Sequence, residues 1–162
     1  NIEKNQAISL NSLPLSSDLD IVHNGEAQLY IYEQDQHLID ETVAKLNAIS
    51  NARYKAYVNG KFPHHWHFNQ VDDTMPDIIV NALPPYTFSY GSNSQPNKAT
   101  HGYDPISSKQ MNGIFISQGP NIKPGRINAF SNIYIHSFLS ALLNLPQTEH
   151  SIASPLLDYK VN

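Results

Sequence analysis

Two short runs of alternating apolar residues near the start of the chain predict a β-hairpin. The runs are residues 20–23 (DIVH) and 28–32 (QLYIY), and they lie on either side of Asn24-Gly25. An Asn-Gly pair between β-rich runs favours a tight hairpin turn, because both central residues of that turn need positive φ. We therefore expect two antiparallel strands here.

The hydrophobic spacing then changes to that of a helix over residues 35–49, and Asp35 can cap its first turn. The apolar positions with this spacing are Leu38, Ile39, Val43, Leu46 and Ile49. Residues 55–58 (KAYV) predict a further strand, which Asn59-Gly60 closes. A hairpin followed by a helix and a strand is typical of α+β or split βαβ organisation.

The second half predicts three strands and one helix. The strands are residues 77–83 (DIIVNAL), 86–90 and 113–117 (GIFIS), the last of the type buried on both faces. The helix covers residues 132–145, and Pro146 ends it. Its predicted apolar face consists of Ile133, Phe138, Leu139, Leu142 and Leu143. A short strand or turn is expected at residues 156–161.

These elements predict two lobes in one compact fragment. Residues 1–70 form a small α+β, cap-like lobe, and residues 71–162 contribute the later strands and the helix. The boundary falls between Gly60 and Pro76, where no flexible linker is evident.

Composition narrows the function classes. Hydrophobic residues make up 40% of the 162 residues and charged residues 15%, which indicates a folded rather than a disordered chain. The net charge is −4 without a basic run, so no nucleic-acid-binding patch is expected. The chain has no cysteine, which excludes disulfides, thiol nucleophiles and cysteine-ligated zinc. No apolar run approaches the ~20 residues of a transmembrane helix.

Three histidines lie within four residues in His64-His65-Trp66-His67. Imidazole is a common metal ligand. In an extended segment, however, only His65 and His67 share a face. Two interpretations stay open: a loop whose histidines face water while Trp66 and Phe68 pack inward, which we favour, or a metal or substrate contact.

His101 stands in a different setting, the turn His101-Gly102-Tyr103-Asp104-Pro105. Gly102 permits backbone conformations closed to other residues, and Asp-Pro redirects the chain. Such a turn can direct an imidazole into a cleft. On chemistry alone, an exposed loop histidine remains the more frequent outcome.

The remaining polar residues predict structural roles. No nucleophile elbow and no glycine-rich phosphate loop is present. Asp72, Asp73 and Asp77 are close enough in sequence for acid–base or cation chemistry, but a solvated turn is favoured. The histidines interpreted as surface or structural are His23, His37, His136 and His150. The tyrosines interpreted as packing residues are Tyr30, Tyr32, Tyr54 and Tyr57.

Several segments together resemble the C-terminal part of the type I phosphodiesterase/nucleotide pyrophosphatase family of the alkaline phosphatase superfamily. The resemblance is strongest over residues 100–145, where HGYDP is followed by Met111, GIFISQGP, INAFSN and a leucine-rich helix. PHHWHF and PDIIVNALPPYTFS resemble earlier family segments, and the first 33 residues resemble the stretch after the family's Asp-His-Gly-Met motif. The loop GSNSQPNKAT is longer than expected for the family.

This resemblance implies an α/β fold, the C-terminal portion of an alkaline-phosphatase-like α/β/α sandwich with a small α+β lobe at its N-terminal side. It implies an enzyme with two zinc ions and a Thr or Ser nucleophile that attacks phosphorus. His101 corresponds to a zinc ligand. The nucleophile and the other ligands are expected upstream of Asn1, so this chain alone is expected to be inactive and to bind zinc weakly.

The implied function is hydrolysis of phosphodiester or pyrophosphate bonds in a nucleotide or another small molecule. The family implies a periplasmic or extracellular location, and the N-terminal part of the same protein is an expected partner. Two alternatives remain: another phosphate hydrolase of the superfamily, or a non-catalytic binding domain in which the cluster from His64 to His67 is a metal or partner site.

Overall fold

The computed structural model describes residues 2–68, 74–90, 96–148 and 151–161. The chain divides into two compact units, Asn1–Asn112 and Gly113–Asn162. Within the described residues, the first unit contains six strands and the longer of two α-helices. The strands are β1 (Ala7–Ser9), β2 (Asp20–Asn24), β3 (Gln28–Tyr32), β4 (Tyr54–Val58), β5 (Ile78–Ala82) and β6 (Thr87–Ser89).

Four of these strands form an antiparallel sheet in the order β2-β3-β5-β4, while β1 and β6 pair in parallel as a separate two-stranded sheet. The predicted hairpin is confirmed, because β2 and β3 pair from Asp20 opposite Tyr32 to Asn24 opposite Gln28. Gly25 adopts φ +67° in the turn, the conformation for which glycine was expected there.

Helix α1 (Gln36–Ile49) confirms the predicted cap and helical spacing. The carboxylate of Asp35 accepts hydrogen bonds from the backbone N–H groups of His37 at 2.9 Å and Leu38 at 3.4 Å. This satisfies donors that the first turn leaves without partners. The helix packs against β4 and buries Ile39 and Leu46.

The core of the first unit lies around β3 and β5. Strand β5 has a strand on each side, and all five of its residues are buried, so both faces of the sheet are covered at this strand. The buried cluster also includes Tyr103, and Met111 packs against it. The turn that contains His101 is therefore attached to the main core.

The observed division of the chain differs from the predicted boundary at residues 70 and 71. Strand β5 follows that boundary in sequence but lies between β3 and β4, which both precede it. One sheet thus joins residues from both predicted lobes, and the division into compact units instead falls after Asn112.

The second unit is built mainly from irregular backbone. It contains α2 (Ile133–Leu142), a 3-10 helix at Pro155–Tyr159 that packs against α2, and an isolated bridge between Ile122 and Lys160. Helix α2 is shorter than predicted, because Asn144 turns left-handed at φ +54° and the N–H of Leu145 donates to the carbonyl of Ser140 at 2.8 Å.

The predicted apolar face of α2 is wrong in part. Phe138 is buried, but Leu139 and Leu143 are 49% and 67% exposed. The buried side of the helix also carries Ser137, whose hydroxyl donates to the carbonyl of Ile152 at 2.6 Å. Helical spacing thus predicted the helix correctly but did not predict which of its faces is buried.

The predicted buried strand at residues 113–117 is also wrong. These residues form no strand, and Ile114 and Ile116 are 91% and 86% exposed. Phe115 packs instead against Phe130 and Phe138, with ring centroids 5.1 Å and 6.2 Å apart. A strand of the buried type belongs to a sheet covered on both faces, and no strand of the described residues pairs with this segment. Among the same residues, no helix has the length and hydropathy to cross a membrane.

Candidate functional site

The imidazole of His101 lies against the turn of the β2–β3 hairpin. A Cβ atom built on Gly25 would be 3.1 Å from Cε1 of His101 and 3.5 Å from each of its ring nitrogens. His101 is exposed, and neither ring nitrogen has a hydrogen-bond partner within the described part of the chain. The ring is thus held by contact on one side while its nitrogens remain available.

Gly102 brings the backbone of the turn against the same hairpin. It adopts φ +91°, a conformation that residues with side chains rarely adopt. A Cβ atom at this position would lie 3.6 Å from Cβ of Ala27 and 3.7 Å from the carbonyl oxygen of Asn24. The sequence prediction that Gly102 allows an unusual backbone conformation beside His101 is confirmed.

Tyr103 anchors the turn in the core. Its side chain is buried, and its hydroxyl donates to the carbonyl of Tyr86 at 2.9 Å. Burial raises the pKa of Tyr103 to about 12, and the nearby carboxylate of Glu26 adds to this rise. The phenol therefore stays protonated near neutral pH and acts as a structural hydrogen-bond donor.

Asp104 connects the turn to the segment that contains the histidine cluster. Its carboxylate accepts hydrogen bonds from Nε2 of His65 at 2.8 Å, Nε1 of Trp66 at 3.0 Å and the N–H of Ile106 at 2.8 Å. Burial alone would raise the pKa of Asp104, but these hydrogen bonds outweigh burial, and the pKa lies below its ordinary value. The charged carboxylate is thus the stable form.

The histidine cluster forms a short 3-10 helix, His64–Trp66, followed by His67 at φ +57°. His64, His65 and His67 are exposed, as favoured from the sequence, and Trp66 is half-buried. The expected inward packing of Phe68 is wrong, because this side chain is exposed. Sequence analysis missed the bond from His65 to Asp104. The two residues are 39 positions apart, and no local pattern indicates their contact.

The other candidate residues have structural surroundings. Asp77 accepts a hydrogen bond from the N–H of Glu33 at 2.9 Å and so fastens the end of the sheet. Asp72, Asp73 and His150 lie outside the described residues. His23 stacks on Tyr90 with ring centroids 3.7 Å apart, and burial lowers its pKa.

His37 and His136 are exposed on helices, which agrees with surface roles. Tyr30, Tyr32, Tyr54 and Tyr57 lie in strands β3 and β4 and are buried or half-buried, which agrees with packing roles.

The described residues contain no group of three or more His, Cys, Asp or Glu side chains that could hold a metal ion. A catalytic zinc site typically uses three protein ligands. His101, with an exposed ring and available nitrogens, fits one coordination position of such a site. The described residues do not provide a complete site.

Comparison with known proteins identifies the class. The family model of type I phosphodiesterase / nucleotide pyrophosphatase matches residues 1–104. This is more than half of the chain, and the match includes the turn up to Asp104. The chain belongs to this family.

Individual relatives agree with that assignment. Ectonucleotide pyrophosphatase/phosphodiesterase 1 of Saccharomyces cerevisiae is 27% identical over 135 residues, which cover 73% of this chain and 18% of the yeast protein. The structure of human ectonucleotide pyrophosphatase/phosphodiesterase 5 matches with a TM-score of 0.84 and 18% identity, over 99% of this chain and 42% of the human chain. An inactive variant of the murine protein 5, in complex with AMP, matches with a TM-score of 0.78 and 21% identity, over 98% of this chain and 42% of the murine chain.

The chain spans less than half the length of these relatives. The family model ends at Asp104, so most of residues 100–145, the segment with the strongest sequence resemblance, lies outside it. The structural likeness covers 99% of the chain. That likeness confirms the predicted α/β, alkaline-phosphatase-like fold class.

Proposed function

We propose that the complete protein hydrolyses phosphodiester or pyrophosphate bonds with the help of two zinc ions, and that His101 is one zinc ligand. The observation that carries this proposal is an exposed imidazole with available nitrogens on a turn within the family-matched residues. The turn is fixed on both sides of Gly102, by the hairpin and by the buried Tyr103. A ligand held in this way loses little conformational freedom when it binds a metal ion.

The chemistry of zinc in such a site is to lower the pKa of a bound nucleophile and to stabilise negative charge on the phosphate. The residues of this chain would hold and orient one ligand. Gly102 provides the positive φ that the turn requires, and the buried side chain of Tyr103 anchors the turn in the core. Asp104 joins the turn to the segment of His65 and Trp66 through hydrogen bonds. The remaining ligands and the Thr or Ser nucleophile are proposed to lie upstream of Asn1. The part-length coverage of the relatives supports a longer protein that can contain these groups.

A nucleotide or another phosphodiester is the proposed substrate class. The names of the yeast and human relatives and the AMP complex of the murine relative support a nucleotide. The same names favour a location outside the cell or in the periplasm. We also propose that the N-terminal part of the same protein packs against this chain. The exposed Ile114 and Ile116 in a segment with strand-like sequence support such a partner.

The alternative is a non-catalytic binding domain with a metal or partner site at the histidine cluster, and its metal-site form is not favoured. It depends on the cluster from His64 to His67, and His65 in that cluster is already bonded to Asp104. The centroids of the His64 and His67 rings are 6.3 Å apart, and no third ligand joins them among the described residues.

The decisive experiment replaces His101 in the complete protein. We expect His101→Ala to reduce zinc affinity and the hydrolysis of a nitrophenyl phosphodiester, each by more than ~100-fold, because loss of a ligand should exceed the effect of losing a residue that only supports a ligand. His64→Ala is the matched control, since it removes another exposed imidazole and should leave both quantities unchanged. Unchanged zinc content and hydrolysis in His101→Ala would refute the proposal. The isolated chain is expected to be inactive.

A further inference from the structure

We propose that Gly25, in the turn between β2 and β3, is a positioning residue for His101. This inference rests on the proposed role of His101 as a metal ligand. The missing side chain of Gly25 provides the space that the imidazole occupies. The hairpin turn would therefore set the position of a ligand 76 residues further along the chain.

A Cβ atom at position 25 would lie closer to the imidazole of His101 than ordinary packing allows. The nearest ring atom, Cε1 of His101, would lie 3.1 Å from a Cβ atom on Gly25, whereas carbon atoms normally pack at about 3.5–4.0 Å. Both ring nitrogens would lie at 3.5 Å. These distances place the added Cβ atom over the face of the ring near Cε1, equally far from both possible ligand atoms. A side chain at this position would push the ring away from the turn, and displacement of the ring moves both nitrogens.

The surface beneath the ring is itself fixed. Immediately after the turn, the carbonyl of Glu26 accepts from the N–H of Phe88 at 2.7 Å, and the carbonyl of Ala27 accepts from the N–H of Ala82 at 2.8 Å. The amide of Asn97, four residues before His101, donates to the carboxylate of Glu26. Because the hairpin is tied on both sides, the imidazole rather than the turn is expected to move when a Cβ atom is added.

The chain contains a matched control for this contact. Gly60 follows Asn59 as Gly25 follows Asn24, and its φ of +79° is close to the +67° of Gly25. A Cβ atom on Gly60 would meet nothing within 4 Å. Alanine causes similar backbone strain at both positions. Only alanine at position 25 also collides with His101.

The experiment compares Gly25→Ala and Gly60→Ala in the complete protein. Zinc affinity is measured by competition with a chelator, and the Cε1–H resonance of His101 is followed by NMR in the metal-free protein. We expect Gly25→Ala to weaken zinc binding ~10-fold or more and to shift the resonance, since supporting residues around metal ligands have effects of ~10–100-fold. Gly60→Ala should change neither quantity.

Should either alanine variant fail to fold, Gly25→Asn and Gly60→Asn provide the same comparison, because asparagine tolerates positive φ better. Suppose that the variants at positions 25 and 60 bind zinc equally well, while His101→Ala loses zinc. This result would overturn the role of Gly25 and leave the proposed function intact. If His101→Ala keeps its zinc, the proposed function fails, and with it the positioning role toward a metal. A resonance of His101 that does not move in Gly25→Ala overturns the steric contact in either case.

Discussion

Strand β5 (IIVNA) and the segment at residues 113–117 (GIFIS) have similar apolar sequences but different structures. Strand β5 lies between β3 and β4, and every one of its residues is buried. Ile114 and Ile116 of the second segment are 91% and 86% exposed. The difference shows that an apolar sequence alone does not determine burial. Such a segment is buried only where other parts of the protein cover its side chains.

The largest expected effect tests this contrast directly. Ile78→Ala in β5 should lower the free energy of unfolding by about 2–5 kcal/mol, because it leaves a cavity in a fully buried site. Ile114→Ala removes the same atoms from an exposed side chain and should change it by less than about 0.5 kcal/mol. Urea denaturation of the 162-residue chain measures both values.

The stability effect of Ile114→Ala can also be compared between the complete protein and the 162-residue chain. If the N-terminal part covers residues 113–117 as proposed, Ile114→Ala should become destabilising there while remaining neutral in the shorter chain. Equal, small effects of Ile114→Ala in both proteins would contradict the proposed packing partner.

The features that the sequence predicted correctly are mainly local. The β2–β3 hairpin follows from Asn24-Gly25, and the start of α1 follows from Asp35, since each signal acts within a few residues. The wrong prediction at residues 113–117 concerns an element whose state depends on distant neighbours. The sheet order is also non-local, because β5 enters between two strands that precede it.

The candidate site shows the same limit. A special backbone conformation at Gly102 could be predicted, because a glycine beside a histidine and an Asp-Pro pair is a local turn signal. The contacts that hold the turn in place could not be predicted from the sequence. Gly25 meets His101 and His65 meets Asp104 across long sequence separations, and a single sequence carries no signal for either pair.

Asp104 provides the next test, of how firmly the turn is fixed in the first unit. Asp104→Ala removes the acceptor for His65, Trp66 and Ile106, so it should cost about 1–3 kcal/mol of stability. Asp158→Ala, at an exposed side chain of the second unit, should stay within about 0.5 kcal/mol. Urea denaturation at neutral pH compares them, and equal effects would mean that the Asp104 bonds contribute nothing measurable.

The pH dependence of Asp104 has a defined sign. Its pKa is lower in the folded state than the ordinary value of 3.8, so its stabilising contribution is full above that value and is lost as the pH falls through the folded pKa. Asp104→Ala should therefore flatten the acid limb of the stability profile. A limb as steep as that of the unchanged protein would contradict the predicted shift.

Tyr103 gives the smallest expected effect. Tyr103→Phe leaves the carbonyl of Tyr86 without its donor and should cost about 1 kcal/mol, whereas Tyr159→Phe removes an exposed bond to the carbonyl of Arg126 and should cost less than about 0.5 kcal/mol. Because the pKa of Tyr103 is raised from 10.0 to about 12 on folding, the unfolded chain loses this proton first as the pH rises. Stability should therefore fall between these two pH values, and Tyr103→Phe should reduce that fall. An alkaline limb that is identical in the unchanged protein and in Tyr103→Phe would show that the phenol is not held protonated by burial.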